Sequence, residues 1–576
     1  MKALSKKILI VFTFALCLAY IPAFAQDKAA KIDELVRKYQ EYGQFNGSIL
    51  VAENGRVIYK KGHGYANMEW KIPNEPDTKF RIGSVTKQFT AALILQLVEQ
   101  GKIKLDATIP DYLPYYRKDT GSRVTIHHLL NHTSGIPSYT GQPGFFRDVS
   151  RNSFKPEEFV KKYSSGDLEF EPGSKFVYNN SAYFILGAII ETVTGKPYEQ
   201  VVRENIFEPL GMKNSGYDNS GVLLEKRASG YSKSPAGYVN AAYLDMSIPY
   251  AAGSLYSTVE DLYLWDQAMY GDKIISAKSK ELMFKPGLEK YGYGVFMDEI
   301  KLSDKATAVA TIEHNGGING FNSDFIRMVE DKHLIVILDN VGLGRFQRPL
   351  TIGIVNILHG QSYDMPKRSS GEFMTAAIAK VGLSEAIKEY RDLKAQKAAE
   401  YNFSESELND VGYQLMRTGK LKDAIEIFKL NVETHPTESN PYDSLGEAYA
   451  EAGDKDLALK NYRKALELNP KSTSAAAAIK RLESPAVSLD DKQLDAFVGR
   501  YELRPNFVLT ITKQNGGLFG QATGQPGFDL VPSSPTRFFV KQIGAEIEFK
   551  TDADNKATGL ILHQGGREMP GKRLPE

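Results

Sequence analysis

The sequence predicts an α+β chain with three folded parts behind a short N-terminal segment. Three observations carry that reading. Residues ~30–360 mix helical and strand patterns. Residues ~375–484 are helical in pattern almost throughout. Residues ~486–576 alternate apolar and polar residues between Gly and Pro turns. The expected boundaries are 1–25, 26–365, 366–484 and 485–576. A length of 576 residues agrees, being too long for one core at about 100–200 residues per domain.

The first segment reads as a secretory signal. Lys2, Lys6 and Lys7 supply the positive start, Ile8 to Ile21 the apolar centre, and Ala23-Phe24-Ala25 a small-x-small cleavage site. The mature chain is expected to begin at Gln26 and to be periplasmic or extracellular. The alternative is an uncleaved anchor, for which the apolar run is short beside the ~20 residues of a spanning helix. No later segment is apolar enough to span a membrane. Cys17 is the sole cysteine and falls in the signal, which excludes disulfides, thiol catalysis and Cys-ligated zinc from the mature protein. The 71 basic and 70 acidic residues nearly cancel, so the basic balance that attracts nucleic acid is missing.

The helical part contains a repeat. An offset of 34 residues relates Gly412 to Gly446, Gly419 to Gly453, Ala424 to Ala458, Phe428 to Tyr462 and Pro436 to Pro470. Small residues let paired helices approach, aromatics fill the gap, and the prolines end the second helix. That register resembles tetratricopeptide repeats, which are open to a protein partner. Two full repeats are visible, so the helices around 377–400 and 473–483 are expected to cap the stack. The last part reads as a small antiparallel β domain. Phe507 to Ile511 and Ala545 to Phe549 alternate, and Asn515-Gly516-Gly517 and Thr551 to Asp554 supply turns.

Three segments of the first part carry chemistry. Behind Gly83-Ser84-Val85-Thr86-Lys87, the run from Phe89 to Val98 is apolar nearly all round, so it forms a buried helix. Ser84 falls at its start and Lys87 one turn later on the same face. A serine hydroxyl needs a proton acceptor to become a nucleophile. A lysine in a low-dielectric site can accept that proton, because desolvation lowers its pKa. Alone, Ser-x-x-Lys also fits a capping serine and a surface lysine. The second segment is Glu171 to Asn180, where a Pro-Gly turn leads to a short strand ending in Tyr178-Asn179-Asn180, followed by a helix that stops at Gly195. The third is His314-Asn315-Gly316-Gly317, ahead of strands at Ser323–Val329 and His333–Leu338. A strand followed by paired glycines lets a substrate backbone approach closely.

Together, Ser84-x-x-Lys87, Tyr178-x-Asn180 and His314-x-Gly316 resemble the three ordered motifs of class C β-lactamases, D-alanyl-D-alanine peptidases and related serine esterases. Leu129 to Gly135 and Ala252 to Thr258 also resemble family segments. The resemblance covers roughly residues 30–360. It implies an antiparallel sheet flanked by helices with an all-α subdomain, the site lying between them and His314 on the facing edge strand. It further implies that Ser84 is acylated, that Lys87 and Tyr178 share the proton work, and that Asn180 binds the acyl-side amide. The N–H groups of Ser84 and Gly317 would form the oxyanion hole.

His314 stands where β-lactamases usually have lysine. An imidazole near its ordinary pKa of ~6.5 is mostly neutral at pH 7, which disfavours a carboxylate-bearing β-lactam. The expected activity is therefore hydrolysis of esters, D-amino-acid peptides or amides. The alternatives are a penicillin-binding or β-lactam-hydrolysing protein, and a partner-binding protein with a vestigial hydrolase domain. No cofactor is expected. His128 and His132, four apart on an expected helix, lack a nearby acid to complete a metal set.

Overall fold

The computed structural model describes residues 23–576, apart from 143, 235–236, 343–346, 484–488, 505–506, 515, 541–543, 565–566 and 576. The segment up to residue 22, read above as most of a secretory signal, and the turn residue Asn515 lie outside the described residues. A chain cut after Ala25 keeps nearly all of the first helix, α1 (Ala23–Glu41), including the buried Ile32, Leu35 and Val36.

The chain divides into two compact units, residues 1–368 and 369–576. The first is built on β1 (Gly47–Glu53), β2 (Arg56–His63), α2 (Thr86–Glu99), α3 (Asn180–Thr194), β3 (Phe296–Lys301), β4 (Ala308–Ile318), β5 (Phe321–Met328), β6 (His333–Asp339) and α4 (Arg348–Leu358). The strands form one antiparallel sheet in the order β3-β4-β5-β6-β1-β2. The central strands are apolar on both faces because both faces are covered. In β6, Leu334, Val336 and Leu338 enter one core with α2 and α3, while Ile335 and Ile337 enter a second core with α1 and α4. Ile49 and Val51 of β1 join the second core and Leu50 the first. The pairing Ile49↔Ile337, Leu50↔Val336, Val51↔Ile335 keeps each set on its own face, and a one-residue slip would exchange them. Each such side chain contributes about 1.5–3 kcal/mol on full burial. Between α2 and β3, helices including Ile126–Leu130 and Pro156–Tyr163 pack around α3.

The second unit begins with seven helices: α5 (Ser370–Val381), α6 (Leu383–Lys397), α7 (Glu405–Arg417), α8 (Leu421–Thr434), α9 (Ser439–Glu451), α10 (Lys455–Leu468) and α11 (Thr473–Glu483). The 34-residue offset has a packing cause. A Cβ on Gly412 would lie 2.4 Å from the Phe428 ring, and one on Gly446 would lie 3.0 Å from the Tyr462 ring. Met374 and Tyr390 of α5 and α6 share a core with Leu408 and Phe428, and Ala475 and Ala478 of α11 cover Ala458 and Tyr462. The flanking helices therefore cap the repeats, as the sequence predicts. Eight sequential antiparallel strands, Gly499–Arg504 to Arg567–Arg573, then form a closed barrel. Ala545, Ile547 and Phe549 point into its core while Glu546 and Glu548 ion-pair outside with Arg537. Among the described residues, no helix is long and apolar enough to cross a membrane.

Candidate active site

Ser84 sits in a 3₁₀ turn, Gly83–Val85, that runs directly into α2. The turn is pressed against β4. A Cβ on Gly316 would lie 2.0 Å from the Ile82 carbonyl oxygen, so only glycine lets the two backbones meet there. Gly83, at φ +50°, faces Gly317 in the same way, since a Cβ there would lie 3.0 Å from the Gly317 nitrogen. Ser323 Oγ ties the approach by donating to Ile82 O at 2.8 Å. Ser84 and Gly317, expected to share the oxyanion, are therefore brought to one place.

Lys87 is fully buried one turn into the helix. Its Nζ lies 3.0 Å from Ser84 Oγ, 2.9 Å from Asn180 Oδ1 and 2.9 Å from the Ala252 carbonyl oxygen. None of these partners is a carboxylate. Burial without a counter-ion holds the amine well below the ordinary lysine range. A neutral amine has two N–H groups and one lone pair. When Lys87 is neutral, Asn180 Oδ1 and Ala252 O can accept its two N–H groups, which leaves the lone pair for the Ser84 hydroxyl.

Asn180 opens α3, whose N-cap is Asn179, accepting from Ala182 N–H at 3.0 Å. Its amide is held on both sides: Oδ1 by Lys87, and Nδ2 by donation to Thr140 Oγ1 at 3.2 Å. Tyr178 does not end a strand as expected. Residues 175–179 have no sheet partner, and neighbouring loops fix the segment instead. The Tyr178 hydroxyl is buried beside Ser84. Burial raises its pKa. Lys87 Nζ lies 4.8 Å from the Tyr178 ring centroid.

His314 differs from expectation in its place. Its strand, β4, is second in the sheet rather than at the edge. However, β3 ends its pairing at Phe296↔Glu313, so β4 from His314 onward has no β3 partner and forms a local edge beside Ser84. The imidazole is 2% exposed, and burial pushes its pKa down to about 3. Nδ1 lies 2.6 Å from the Asn315 carbonyl oxygen, which can only accept, so Nδ1 carries the proton. Nε2 then accepts from the Tyr291 hydroxyl at 3.2 Å.

His128 and His132 do not share a helix face. The helix Ile126–Leu130 ends before His132, which has a left-handed backbone, and His128 caps its own helix by accepting Thr125 N–H at 3.3 Å. Among the described residues, Asp331, His333 and His359 bring metal-ligating atoms within 4.8 Å of one another. There His333 Nδ1 accepts Asn54 N–H at 3.1 Å, so the ring proton is on Nε2 and no lone pair is free for a metal. Sequence reasoning missed Ala252, Thr140, Tyr291 and Ser138, whose Oγ accepts the Asn180 N–H at 3.2 Å. Ala252 acts through its carbonyl, which leaves no side-chain signal. Tyr291-Gly292-Tyr293-Gly294 was a visible one, since a Cβ on Gly294 would lie 2.6 Å from Lys87 O.

Comparison with known proteins agrees with this architecture. A family described as Beta-lactamase matches residues 32–349, a Tetratricopeptide repeat matches residues 440–472, and a Domain of unknown function (DUF3471) matches residues 483–573. The chain is 30% identical over 574 residues to "Penicillin-binding protein 4*" of Bacillus subtilis (strain 168), covering 95% of this chain and 99% of that protein. It is 29% identical over 316 residues to "Teichoic acid D-alanine hydrolase" of Staphylococcus aureus, covering 54% of this chain and 74% of the relative. Among solved structures, D-amino acid amidase from Ochrobactrum anthropi SV3 with D-phenylalanine matches at a TM-score of 0.51 and 25% identity, over 58% of this chain and 100% of that one.

Proposed function

The chain belongs to the Beta-lactamase family of serine hydrolases, and on that premise we propose that it is an exported enzyme that forms an acyl-enzyme at Ser84. Its substrates are esters, D-amino-acid amides or D-amino-acid peptides. The observation that carries the reading is the buried Lys87 amine, 3.0 Å from Ser84 Oγ and without a counter-ion. Lys87 takes the Ser84 proton as Oγ bonds to the substrate carbonyl carbon. The oxyanion is received by the N–H groups of Ser84 and Gly317. Tyr178, beside Ser84, delivers a proton to the leaving group as its bond to the acyl carbon breaks and regains one from the protonated Lys87, so both groups return to their starting forms. Water then attacks the acyl-Ser84 ester and releases the acid. Lys87 suits the base role better than Tyr178, because burial lowers the lysine pKa and raises that of the phenol. The relatives named for D-alanine and D-amino acid substrates support the substrate class. Hydrolysis of D-amino-acid p-nitroanilides and p-nitrophenyl esters by the mature protein, lost in Ser84→Ala, tests it.

The neutral His314 argues against efficient use of carboxylate-bearing β-lactams. His314→Lys is expected to raise the ratio of penicillin acylation to neutral-ester acylation. A charge-assisted hydrogen bond to a carboxylate is worth about 1.5–3 kcal/mol, or roughly one to two decades at ~1.4 kcal/mol per decade. Acylation rates for a fluorescent penicillin and a p-nitrophenyl ester at pH 7 check it. An unchanged ratio in a folded variant contradicts the idea, as does a wild type that already hydrolyses penicillins rapidly.

The hydrolase part is expected to stand alone. Residues 26–365 contain both cores of the first unit, including α4. That fragment should melt cooperatively and keep Ser84-dependent turnover, and loss of a cooperative melt would show that later residues complete its core. The repeats then serve a protein partner rather than the chemistry. The intact Ser84, Lys87 and Tyr178 constellation speaks against a vestigial hydrolase domain.

A further inference from the structure

Tyr178 lies in a segment with no helix or sheet ladder to fix it, yet its hydroxyl must be aimed at the reacting atoms. The two amides that flank it end on one residue. Val177 N–H donates to the His132 carbonyl oxygen at 3.0 Å, and Asn179 N–H donates to His132 Nδ1 at 3.1 Å. Between these bonds the His132 and Tyr178 rings lie 4.4 Å apart, centroid to centroid. His132 makes both bonds from a left-handed backbone, φ +61°.

The other ring nitrogen shows which part of His132 matters. Because Nδ1 accepts, the proton sits on Nε2, which is buried and has no hydrogen-bond partner among the described residues. It is enclosed by the rings of Phe176, Tyr183 and Tyr291. An unpaired buried donor is costly. A residue present only to fill this volume would avoid that cost as phenylalanine. What phenylalanine lacks is the Nδ1 lone pair. Burial keeps the ring neutral, so that lone pair stays available.

We propose that His132 is a positioning residue for the Tyr178–Asn180 turn, acting through Nδ1 on the Asn179 amide; this rests on the reading of Ser84 as nucleophile. Its removal loosens both the Tyr178 hydroxyl and the Asn180 Oδ1 that orients Lys87, groups that act in the chemical step. The loss therefore falls on kcat.

The test compares His132→Phe with His132→Asn in the full-length protein. Phenylalanine keeps a ring and loses the acceptor. Asparagine tolerates the left-handed backbone and supplies Oδ1 in place of Nδ1. His132→Phe is expected to lower kcat on a p-nitrophenyl ester roughly 10- to 100-fold, with KM changed less than about threefold. It should also speed hydrogen exchange at the Asn179 amide. His132→Asn should recover kcat at least about tenfold over the phenylalanine variant and restore the amide's protection. If the phenylalanine variant does not melt cooperatively, His132→Gly, which suits the same backbone, takes its place. A folded variant lacking the acceptor but with wild-type kcat overturns the proposal. So does an asparagine variant no better than phenylalanine, or an Asn179 amide that exchanges freely in the wild type. Turnover that survives Ser84→Ala would instead overturn the nucleophile, and the exchange contrast at Asn179 would still decide the role of His132.

Discussion

Ser84→Ala is expected to remove turnover of every substrate the wild type accepts, lowering kcat roughly 10⁴-fold or more, the scale on which serine hydrolases lose rate with their nucleophile. The fold should survive. The 3₁₀ turn is fixed by Gly316 against Ile82 and by Ser323 on the Ile82 carbonyl, neither of which involves the Ser84 hydroxyl. Lys87 keeps Asn180 Oδ1 and Ala252 O as acceptors. An unchanged thermal melt together with loss of fluorophosphonate labelling is the expected pair of results. Labelling and turnover that persist at another serine would remove Ser84 from the mechanism.

Lys87→Met is expected to be nearly as damaging. General-base catalysis is worth about 10²–10⁴-fold, and acylation should fall by that factor. The wild-type rate should rise with pH along a limb set by Lys87, at a pH well below the ordinary lysine range, because only the neutral amine can accept the serine proton. His314, titrating at about 3, adds no limb between pH 5 and 8. The methionine variant should lose the Lys87 limb. Stability carries a second signature. Where the folded pKa of a lysine lies below its unfolded value of about 10.4, the unfolded chain binds more protons between the two. The cost of burying Lys87 is therefore full below the folded value and disappears as pH rises to the unfolded one. Unfolding free energies of wild type and Lys87→Met, measured across that window, should converge as pH rises. A rate limb at the same pH in the methionine variant would assign the base elsewhere.

The parts of the fold legible in the sequence were those with a strict period. The 34-residue repeat could be read because Gly412 and Gly446 must each face an aromatic ring, a constraint that recurs at fixed spacing. The barrel strand at Ala545–Thr551 could be read because a closed barrel separates inside from outside at every second residue. At the site, Ser84, Lys87, Tyr178, Asn180 and His314 were named from motif order, and the structure brings them together. What stayed hidden has a common cause. Ala252 contributes a backbone oxygen, and Thr140 and Ser138 contribute hydroxyls from a loop distant in sequence. The strand expected before Tyr178 fails because residues 175–178 are tied to the His132 loop instead of a neighbouring strand, a long-range choice that local alternation does not encode. His132 showed as half of a metal-like spacing and as part of the Leu129 to Gly135 segment, and neither reveals its role, since its left-handed backbone and its bond to Asn179 exist only in the folded chain.

The central claim is a covalent acyl group on Ser84, and trapping it tests that claim most directly. The mature protein, mixed with a D-amino-acid ester and quenched in acid within one turnover, should gain the mass of one acyl group. Fragmentation should place that mass on the peptide containing Ser84, and Lys87→Met should gain it far more slowly. A wild type that turns the ester over without ever carrying the adduct, or that carries it on a different residue, would contradict the account.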